Sequence, residues 1–401
     1  MRAGQKESGA AGKVSFVKET KGLCVCSGHA ELLIRKENMG TEYLQHYASA
    51  GEQLISWQES SLQYCGRIDR DREDGALMVY PASFVQIRFI GSSIRAVFTN
   101  IRAYWQSCMG WILDGQQYRG DLADEGETVL TLGENLGEGV HELCLFKRMD
   151  SCHMALFHGF LLAQDGQLLE PSPLPRRRIE VFGDSVSAGE VSEAVDYCGQ
   201  PDPEHNGEYS NSYYSYAWIT ARKLGAQLHD VAQGGVALLN HTGYFNEPDA
   251  RGMEWLYDKI QYQPSLCEPK TWDFSQYAPQ VVILAIGQND SHPTDYMAQD
   301  YDSEASRRWR AAYSRFLDTL RGIYPDAHII CKTTILEHDR SWDQAIQQVV
   351  EDKADEHIHY FAYSNNSVGT KGHIRRPEAE QMADELSGYI RQLNETYAFW
   401  E

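Results

Sequence analysis

The sequence lacks an excess of basic residues and any long apolar run, and both absences narrow what the chain can do. Lys and Arg number 36 against 57 for Asp and Glu, which gives a formal net charge of −21 and a pI of about 5.1. So acidic a chain argues against nucleic acid and anionic membranes as partners and favours a neutral substrate. No stretch has the apolar length of a membrane span, and the first residues contain no apolar signal core. We therefore expect a protein that is neither membrane-bound nor exported.

Paired cysteines and complete metal motifs are also lacking. The nine cysteines are odd in number and scattered, which is typical of reduced thiols and predicts a cytoplasmic location. Cys24, Cys26 and His29 form one group of candidate metal ligands, and His357 and His359 form another. Neither group has a second ligand pair at the spacing of a zinc site. We therefore predict no metal site.

What the chain does contain divides it into two unequal halves. Its 401 residues suffice for roughly two domains. Residues 1–28 are small and polar and are predicted to form a flexible leader. Residues 29–168 are predicted to form an antiparallel β-sandwich; 29–64 are ambiguous, but from Cys65 onward short, partly alternating apolar runs are separated by turn residues. Residues 169–178 carry several prolines and are predicted to be a stiff linker.

Residues 179–401 alternate continuous apolar runs with amphipathic helical patterns. Such runs predict a parallel sheet that helices cover on both faces. Ligands of sheets of this kind lie beyond the carboxyl ends of the strands. The predicted strands are 179–182, 227–231, 281–286, 328–333 and 358–361, and the clearest predicted helices are 308–321 and one that begins at Pro377.

Four motifs fall at or near the predicted strand ends. Ser185 ends a Gly-Asp-Ser tripeptide after the first strand, where a turn into a helix would expose its hydroxyl beside backbone N–H groups. Gly235 follows the second strand and has no side chain to keep a ligand from its N–H. Asn289 follows the third strand as a neutral amide donor. His373 precedes the last helix and is of a type that accepts a proton near neutral pH. Each residue alone also fits an ordinary turn or loop. The inference of a functional site therefore rests on the order of the four motifs along the chain.

In this order the motifs resemble the blocks of SGNH, or GDSL, hydrolases. An α/β-hydrolase elbow fits less well, because Ser187 occupies the position of its second glycine. Segments of the first half also resemble the jelly-roll domain of carbohydrate esterase family 2, namely 65–67, 89–94, 112–115, 146–150 and 157–160. The resemblance implies an α/β fold with an SGNH-type, flavodoxin-like three-layer parallel sheet, preceded by a smaller jelly roll. It also implies removal of acetyl groups from plant polysaccharides such as xylan and glucomannan without a cofactor.

The resemblance further implies roles for the motif residues. Ser185 would be the nucleophile and His373 its general base. The N–H groups of Ser185 and Gly235 and the side-chain amide of Asn289 would form the oxyanion hole.

The chain departs from the SGNH pattern beside its histidine. Most SGNH enzymes carry an aspartate three residues before the histidine, where this chain has Thr370. Some members of the resembled family work with a serine and a histidine alone, so we expect the backbone carbonyl of Lys371 to orient His373. A distant carboxylate is the alternative, for which Asp184 and Asp290 are poor candidates because the motifs give them structural roles.

Two long aromatic segments, 191–216 and 241–276, are predicted to be insertions that line a crevice over the sheet. Of the aromatic residues in these segments, we expect Tyr244 to contact substrate. We expect the same of Trp342, which lies in a later part of the chain, and we expect His292 to reach the same crevice. Core packing is the alternative for every aromatic residue named. The full set of candidate stacking residues is Tyr213, Tyr214, Tyr244, Trp255, Trp272 and Trp342.

Three functions are compatible with the sequence. The first is a cytoplasmic carbohydrate O-acetylesterase that acts on acetylated oligosaccharides of the mannan or xylan type, with no nucleic acid or membrane partner. The second is a carbohydrate-binding protein whose SGNH domain is inactive. The third is an esterase or thioesterase for small acyl groups.

Overall fold

The structure is a computed structural model that describes residues 40–101, 104–244, 250–262 and 268–400. The predicted leader 1–28 and the candidate ligands Cys24, Cys26 and His29 lie outside the described residues. Within them, no helix has both the length and the apolar character needed to cross a membrane.

The first part of the chain forms two antiparallel sheets that pack face to face. One sheet has the order β3-β4-β11-β6-β9 with β1 added beside β11, and the other has the order β12-β5-β10-β7-β8 with β2 added beside β5. This arrangement fits the expected sandwich. The strands β1 to β12 are Gln53–Ser56, Gln63–Cys65, Ile68–Asp69, Ala76–Met78, Phe84–Ile90, Ile94–Ile101, Cys108–Leu113, Gln116–Asp121, Glu127–Gly133, His141–Lys147, Met154–Leu162 and Gln167–Leu169.

Strand β11 shows how the sandwich joins the rest of the molecule. All nine of its residues are buried, whereas β5 alternates between buried and half-buried positions. Phe157 and Phe160 of β11 belong to the core between the two sheets, and Leu161 packs beside the helical residues 40–45. Met154 and Leu156 belong instead to a core shared with the second domain. Because both faces of the strand are covered, its sequence does not alternate.

The second domain is built on a five-stranded sheet in which every neighbouring pair is parallel. Its order, β14-β13-β17-β18-β19, places the first strand between the second and the third, which is the flavodoxin-like order. The switch point therefore lies between β13 and β17, where a ligand is expected. The strands β13 to β19 are Arg177–Gly183, Ala226–Ala232, Lys259–Gln261, Lys270–Thr271, Val281–Ala285, His328–Lys332 and Ile358–Tyr360, of which β15 and β16 form a separate hairpin-like pair.

Helices cover both faces of the parallel sheet and complete three layers. Glu304–Ile323 and Arg340–Lys353 supply buried residues to the core on one face. Tyr216–Leu224 and Arg376–Tyr397 supply those of the other face. The shorter helices are Ser185–Ala188, Met253–Leu256 and Tyr296–Gln299.

A buried ion pair joins the two domains. Arg67, from the loop between β2 and β3, donates through Nε to Oε1 of Glu180 on β13 at 3.0 Å, and both side chains have zero exposure. Arg67 Nη1 also donates to the Tyr257 carbonyl at 2.5 Å, and the guanidinium lies over the ring of Phe182. Separating a pair this deeply buried would leave an uncompensated buried charge, so the pair fixes the domains to each other at this point.

Candidate active site

Ser185 is the first residue of a short helix that begins directly after β13. Asp184 caps this helix, and its Oδ1 accepts a hydrogen bond from Val186 N at 3.0 Å. A Cβ at Gly183 would lie only 2.1 Å from Ser187 Oγ, so the turn requires glycine there. The strand-to-helix turn therefore delivers the Ser185 hydroxyl to the carboxyl edge of the sheet.

A cavity of about 680 Å³ opens at this edge. It collects motif residues that lie far apart in the chain, so the spatial convergence expected from their order is present. The predicted site residues that line it are Ser185, Gly235, Tyr244, Asn289, Lys371 and His373.

His373 is oriented by a carboxylate that the sequence analysis did not identify. Its Nδ1 donates to Asp202 Oδ2 at 2.7 Å, and its backbone N donates to Asp202 Oδ1 at 3.1 Å. The expectation that the Lys371 carbonyl orients the ring is therefore wrong, because Asp202, from the segment between the helices Ser185–Ala188 and Tyr216–Leu224, accepts from the nitrogen in question. Although burial opposes ionisation, hydrogen bonds from His205, His373 and Arg375 hold the pKa of Asp202 well below its usual range.

Thr370, which stands where the aspartate is missing, and Gly372 explain how Asp202 reaches His373. Thr370 Oγ1 accepts a hydrogen bond from Gly199 N at 2.8 Å and so ties down the loop that contains Asp202. A Cβ at Gly372 would lie 2.3 Å from Asp202 Oδ2, and the glycine has a φ of +86°. Glycine at 372 thus leaves the space that the carboxylate occupies.

The predicted oxyanion residues differ in how free they are. The structure gives no hydrogen-bond partner among the described residues to the backbone N–H of Ser185 or of Gly235, whose φ is +70°. Asn289 Nδ2 already donates to Asp184 Oδ2 at 3.2 Å and to the Val236 carbonyl at 3.0 Å. Asn289 therefore lies at the cavity wall, but it must release one partner before it can donate to a substrate.

A second unpredicted carboxyl group faces His373 from the other side. Glu190 is 6% exposed, and its Oε2 lies 3.4 Å from His373 Nε2. Burial raises the pKa of Glu190 well above its usual range, and the neighbouring Asp150, Asp184 and Asp202 raise it further. Asp150 comes from the β-sandwich domain and accepts a hydrogen bond from Gly234 N at 2.7 Å.

The aromatic predictions have different outcomes. Tyr244 is 66% exposed at the cavity and stacks on His292, with ring centroids 4.4 Å apart. Trp342 has zero exposure, donates through Nε1 to Asp295 at 3.0 Å and packs edge to face on Trp309. The expectation that Trp342 contacts substrate is therefore wrong, because the residue belongs to the core beneath the sheet.

Two aromatic residues that were not predicted line the cavity from the β-sandwich domain. Tyr104 is 45% exposed and meets Trp105 edge to face at 4.7 Å. The ring of Trp105 lies 5.5 Å from that of His205. The first domain thus contributes aromatic surface to a cavity whose motif residues come from the second.

Comparison with known proteins adds to this geometry. Residues 64–173 match the family model described as carbohydrate esterase 2 N-terminal. The chain is 30% identical over 269 residues to the cellulase/esterase CelE of Acetivibrio thermocellus, across 67% of this chain and 30% of that protein. It is 26% identical over 351 residues to an acetylxylan esterase / glucomannan deacetylase of Cellvibrio japonicus, across 84% of this chain and 90% of that protein.

Among solved structures, a family two carbohydrate esterase from Clostridium thermocellum in complex with cellohexaose superposes with a TM-score of 0.70 at 26% identity, over 84% of this chain and 100% of that chain. In sequence and fold the chain is therefore similar to carbohydrate esterases of family 2.

The described residues contain one group able to hold a metal ion, formed by Glu190, His205 and His373. His357 and His359 are not part of it. They lie beside His328, whose Nδ1 is 2.9 Å from His359 Nε2. None of the three residues of the group was predicted as a ligand.

Proposed function

We propose that the protein is a serine carbohydrate O-acetylesterase, and that Ser185, His373 and Asp202 are its catalytic triad. The observation that carries the proposal is the hydrogen bond from His373 Nδ1 to Asp202 Oδ2, at 2.7 Å, beside a cavity lined by Ser185. A carboxylate at Nδ1 fixes the ring tautomer and leaves Nε2 to accept a proton. That is the arrangement a serine nucleophile requires.

The reaction would proceed through an acetyl-enzyme. Ser185 Oγ attacks the acetyl carbonyl carbon while His373 Nε2 takes its proton, and Asp202 stabilises the imidazolium that forms. The negative charge on the carbonyl oxygen is held by the N–H groups of Ser185 and Gly235, with Asn289 as a third donor after it releases Asp184 or Val236. His373 then protonates the departing sugar oxygen. Water repeats the cycle and releases acetate.

The substrate we propose is an acetylated plant-polysaccharide oligosaccharide of the xylan or mannan type. The relatives named above include an acetylxylan esterase / glucomannan deacetylase. Tyr104, Trp105 and Tyr244 give the cavity aromatic surface on which a sugar ring can stack. A cytoplasmic location stays a prediction from the scattered cysteines.

The test is acetate release from acetylated xylo- and manno-oligosaccharides by the full chain. Ser185→Ala should lower kcat by on the order of 10⁴-fold or more, because it removes the nucleophile. Ser291→Ala is a matched control, since this serine lines the same cavity and its Oγ bonds the Gln288 carbonyl. Ser185→Ala with a near-normal rate would contradict the proposal.

The same assay separates the two alternatives. Oligosaccharide binding without any acetate release would favour a carbohydrate-binding protein. Activity that rises with acyl length on aryl esters would favour a small-acyl esterase or thioesterase, whereas an acetyl-specific site predicts a steep fall beyond two carbons. The observed Asp202 weakens the argument for an inactive domain, which rested on the missing aspartate at position 370.

A further inference from the structure

Three side chains at the floor of the cavity converge as metal ligands do. Glu190, His205 and His373 each offer one ligand atom, and these atoms all lie within 4.8 Å of one another. Tetrahedral ligands about 2.1 Å from Zn²⁺ are roughly 3.4 Å apart. The pair formed by Glu190 Oε2 and His373 Nε2 is already 3.4 Å apart.

A shared carboxylate holds both imidazoles of the group. Asp202 Oδ2 accepts from His373 Nδ1 at 2.7 Å and from His205 Nε2 at 2.8 Å. The opposite nitrogens, Nε2 of His373 and Nδ1 of His205, therefore carry the lone pairs. Asp202 is itself held by Arg375 Nη1 at 2.8 Å. Carboxylates that bond the far nitrogens of metal-binding histidines are the usual outer support of zinc sites.

The charges around this point favour a cation. Glu190 is 6% exposed. The negative charges of the buried Asp150 and Asp184 and of Asp202 raise its pKa further above the usual range. Glu190 has no role in the catalytic triad proposed above. A divalent cation would compensate this concentration of carboxylates.

We propose that Glu190, His205 and His373 form a binding site for Zn²⁺, and that the bound ion inhibits the esterase. Two imidazoles and one carboxylate with a further position open to a cavity are a zinc ligand set, whereas Mg²⁺ and Ca²⁺ prefer oxygen ligands. The ion would occupy the lone pair of His373 Nε2, so that nitrogen could no longer take the proton of Ser185. The proposed Zn²⁺ binding does not depend on the esterase reaction proposed above, whereas the proposed inhibition rests on it.

The first measurement is calorimetric titration of the full chain with Zn²⁺ alone. Ser185→Ala should bind as the wild type does, since the serine is not a ligand. Glu190→Gln and His205→Ala should each weaken binding at least tenfold. Glu337→Gln is the matched control, because Glu337 lines the same cavity but stands outside the group and is 69% exposed at its side chain. Circular dichroism and Tm establish that each variant is folded.

Substitution with Co²⁺ identifies the donor atoms, because the protein also carries six free cysteines among its described residues. We expect tetrahedral visible bands without a sulfur-to-cobalt charge-transfer band. A sulfur-to-cobalt charge-transfer band would place the ion elsewhere and overturn the proposal. So would a Zn²⁺ affinity of Glu190→Gln and His205→Ala that equals the affinity of the wild type.

Inhibition is then measured as aryl acetate hydrolysis against Zn²⁺ concentration, with each variant compared with its own metal-free rate. The wild type should lose activity as the calorimetric site fills and recover it with a chelator, and Glu190→Gln should need at least tenfold more Zn²⁺. An undiminished or increased rate with the site filled would overturn the inhibitory role. Were the protein no esterase at all, the calorimetric comparison would still decide the binding.

Discussion

The cavity has two walls of different origin. One wall consists of Ser185, Gly235 and Asn289, which follow the strands β13, β14 and β17 and are held by the sheet beneath them. The other consists of Tyr104 and Trp105 from the β-sandwich domain and of Asp202 and His205 from the segment between the helices Ser185–Ala188 and Tyr216–Leu224. We call them the strand-end wall and the loop wall. They meet at His373.

The two walls also differ in electrostatics. Behind the strand-end wall, burial raises the pKa of Asp184 to about 6 and that of Asp290 to about 7. On the loop wall, Asp202 stays ionised because His205, His373 and Arg375 donate to it. The carboxylates of Asp202 and Asp184 are partly or fully desolvated; Asp202 stays ionised because the guanidinium of Arg375 bonds it directly, whereas the direct donors to Asp184 are backbone and amide groups and its pKa stays raised.

Apart from removal of the Ser185 nucleophile itself, the largest effect should come from the loop wall. Asp202→Ala is expected to lower kcat by roughly 10³ to 10⁴-fold, since His373 loses the group that fixes its tautomer. Lys371→Ala should change kcat little, because its side chain is 75% exposed and only its backbone was implicated. The measurement is aryl acetate hydrolysis with Tm as the folding check. A near-unchanged kcat in Asp202→Ala would restore the two-residue mechanism.

A smaller loss is expected from Asn289 of the strand-end wall. Asn289→Ala should raise the barrier by about 3 kcal/mol, roughly 10²-fold in kcat, if the amide donates to the oxyanion. Its hydrogen bonds to Asp184 and Val236 predict a drop in Tm as well. A drop in Tm with normal kcat would show that Asn289 only supports the wall.

The loop wall should also distinguish sugar from simple esters. Tyr104→Ala is expected to lower kcat/KM for acetylated oligosaccharides about tenfold through lost stacking, while aryl acetate hydrolysis changes little. Tyr118→Ala is the matched control, because this exposed tyrosine of the same domain stacks on Trp111 instead. Equal losses on both substrates would break the division of labour between the walls.

The smallest effect concerns the pH dependence of stability. The folded pKa of Asp290, about 7, lies above its ordinary value of 3.8, so its stabilising contribution is present below pH 3.8 and is lost as the pH rises through 7. Asp290→Asn should flatten this decline by at most about 1.4 kcal/mol per pH unit. Urea unfolding at several pH values between 4 and 8 measures the slope. An identical slope in the variant would assign the decline to other groups.

The sequence revealed the strand-end wall better than the loop wall. Ser185, Gly235 and Asn289 each follow a continuous apolar run, and the ends of parallel strands necessarily meet at one edge. Asp202 has no such marker, because an orienting carboxylate needs only to reach His373 and can come from any loop. Its position within the predicted insertion 191–216 was the one available signal.

The aromatic residues illustrate the same limit. Tyr244 and Trp342 looked alike in the sequence, yet one is exposed at the cavity and the other packs on Trp309 in the core. The periodicity of a sequence shows which apolar residues share one face of a helix. It does not show whether that face packs against protein or lies open to solvent. Tyr104 and Trp105 lie in the other domain, so only the docking of the two domains brings them to the cavity.

The buried pair of Arg67 and Glu180 bears on the order in which the protein forms during synthesis. The two residues are separated by 113 positions, and the Tyr257 carbonyl that completes the pair comes later still. A ribosome releases Arg67 long before either partner exists, so its guanidinium must stay in water until then. The sandwich can collapse early, but the face that carries Arg67 closes only when the first strand of the parallel sheet arrives.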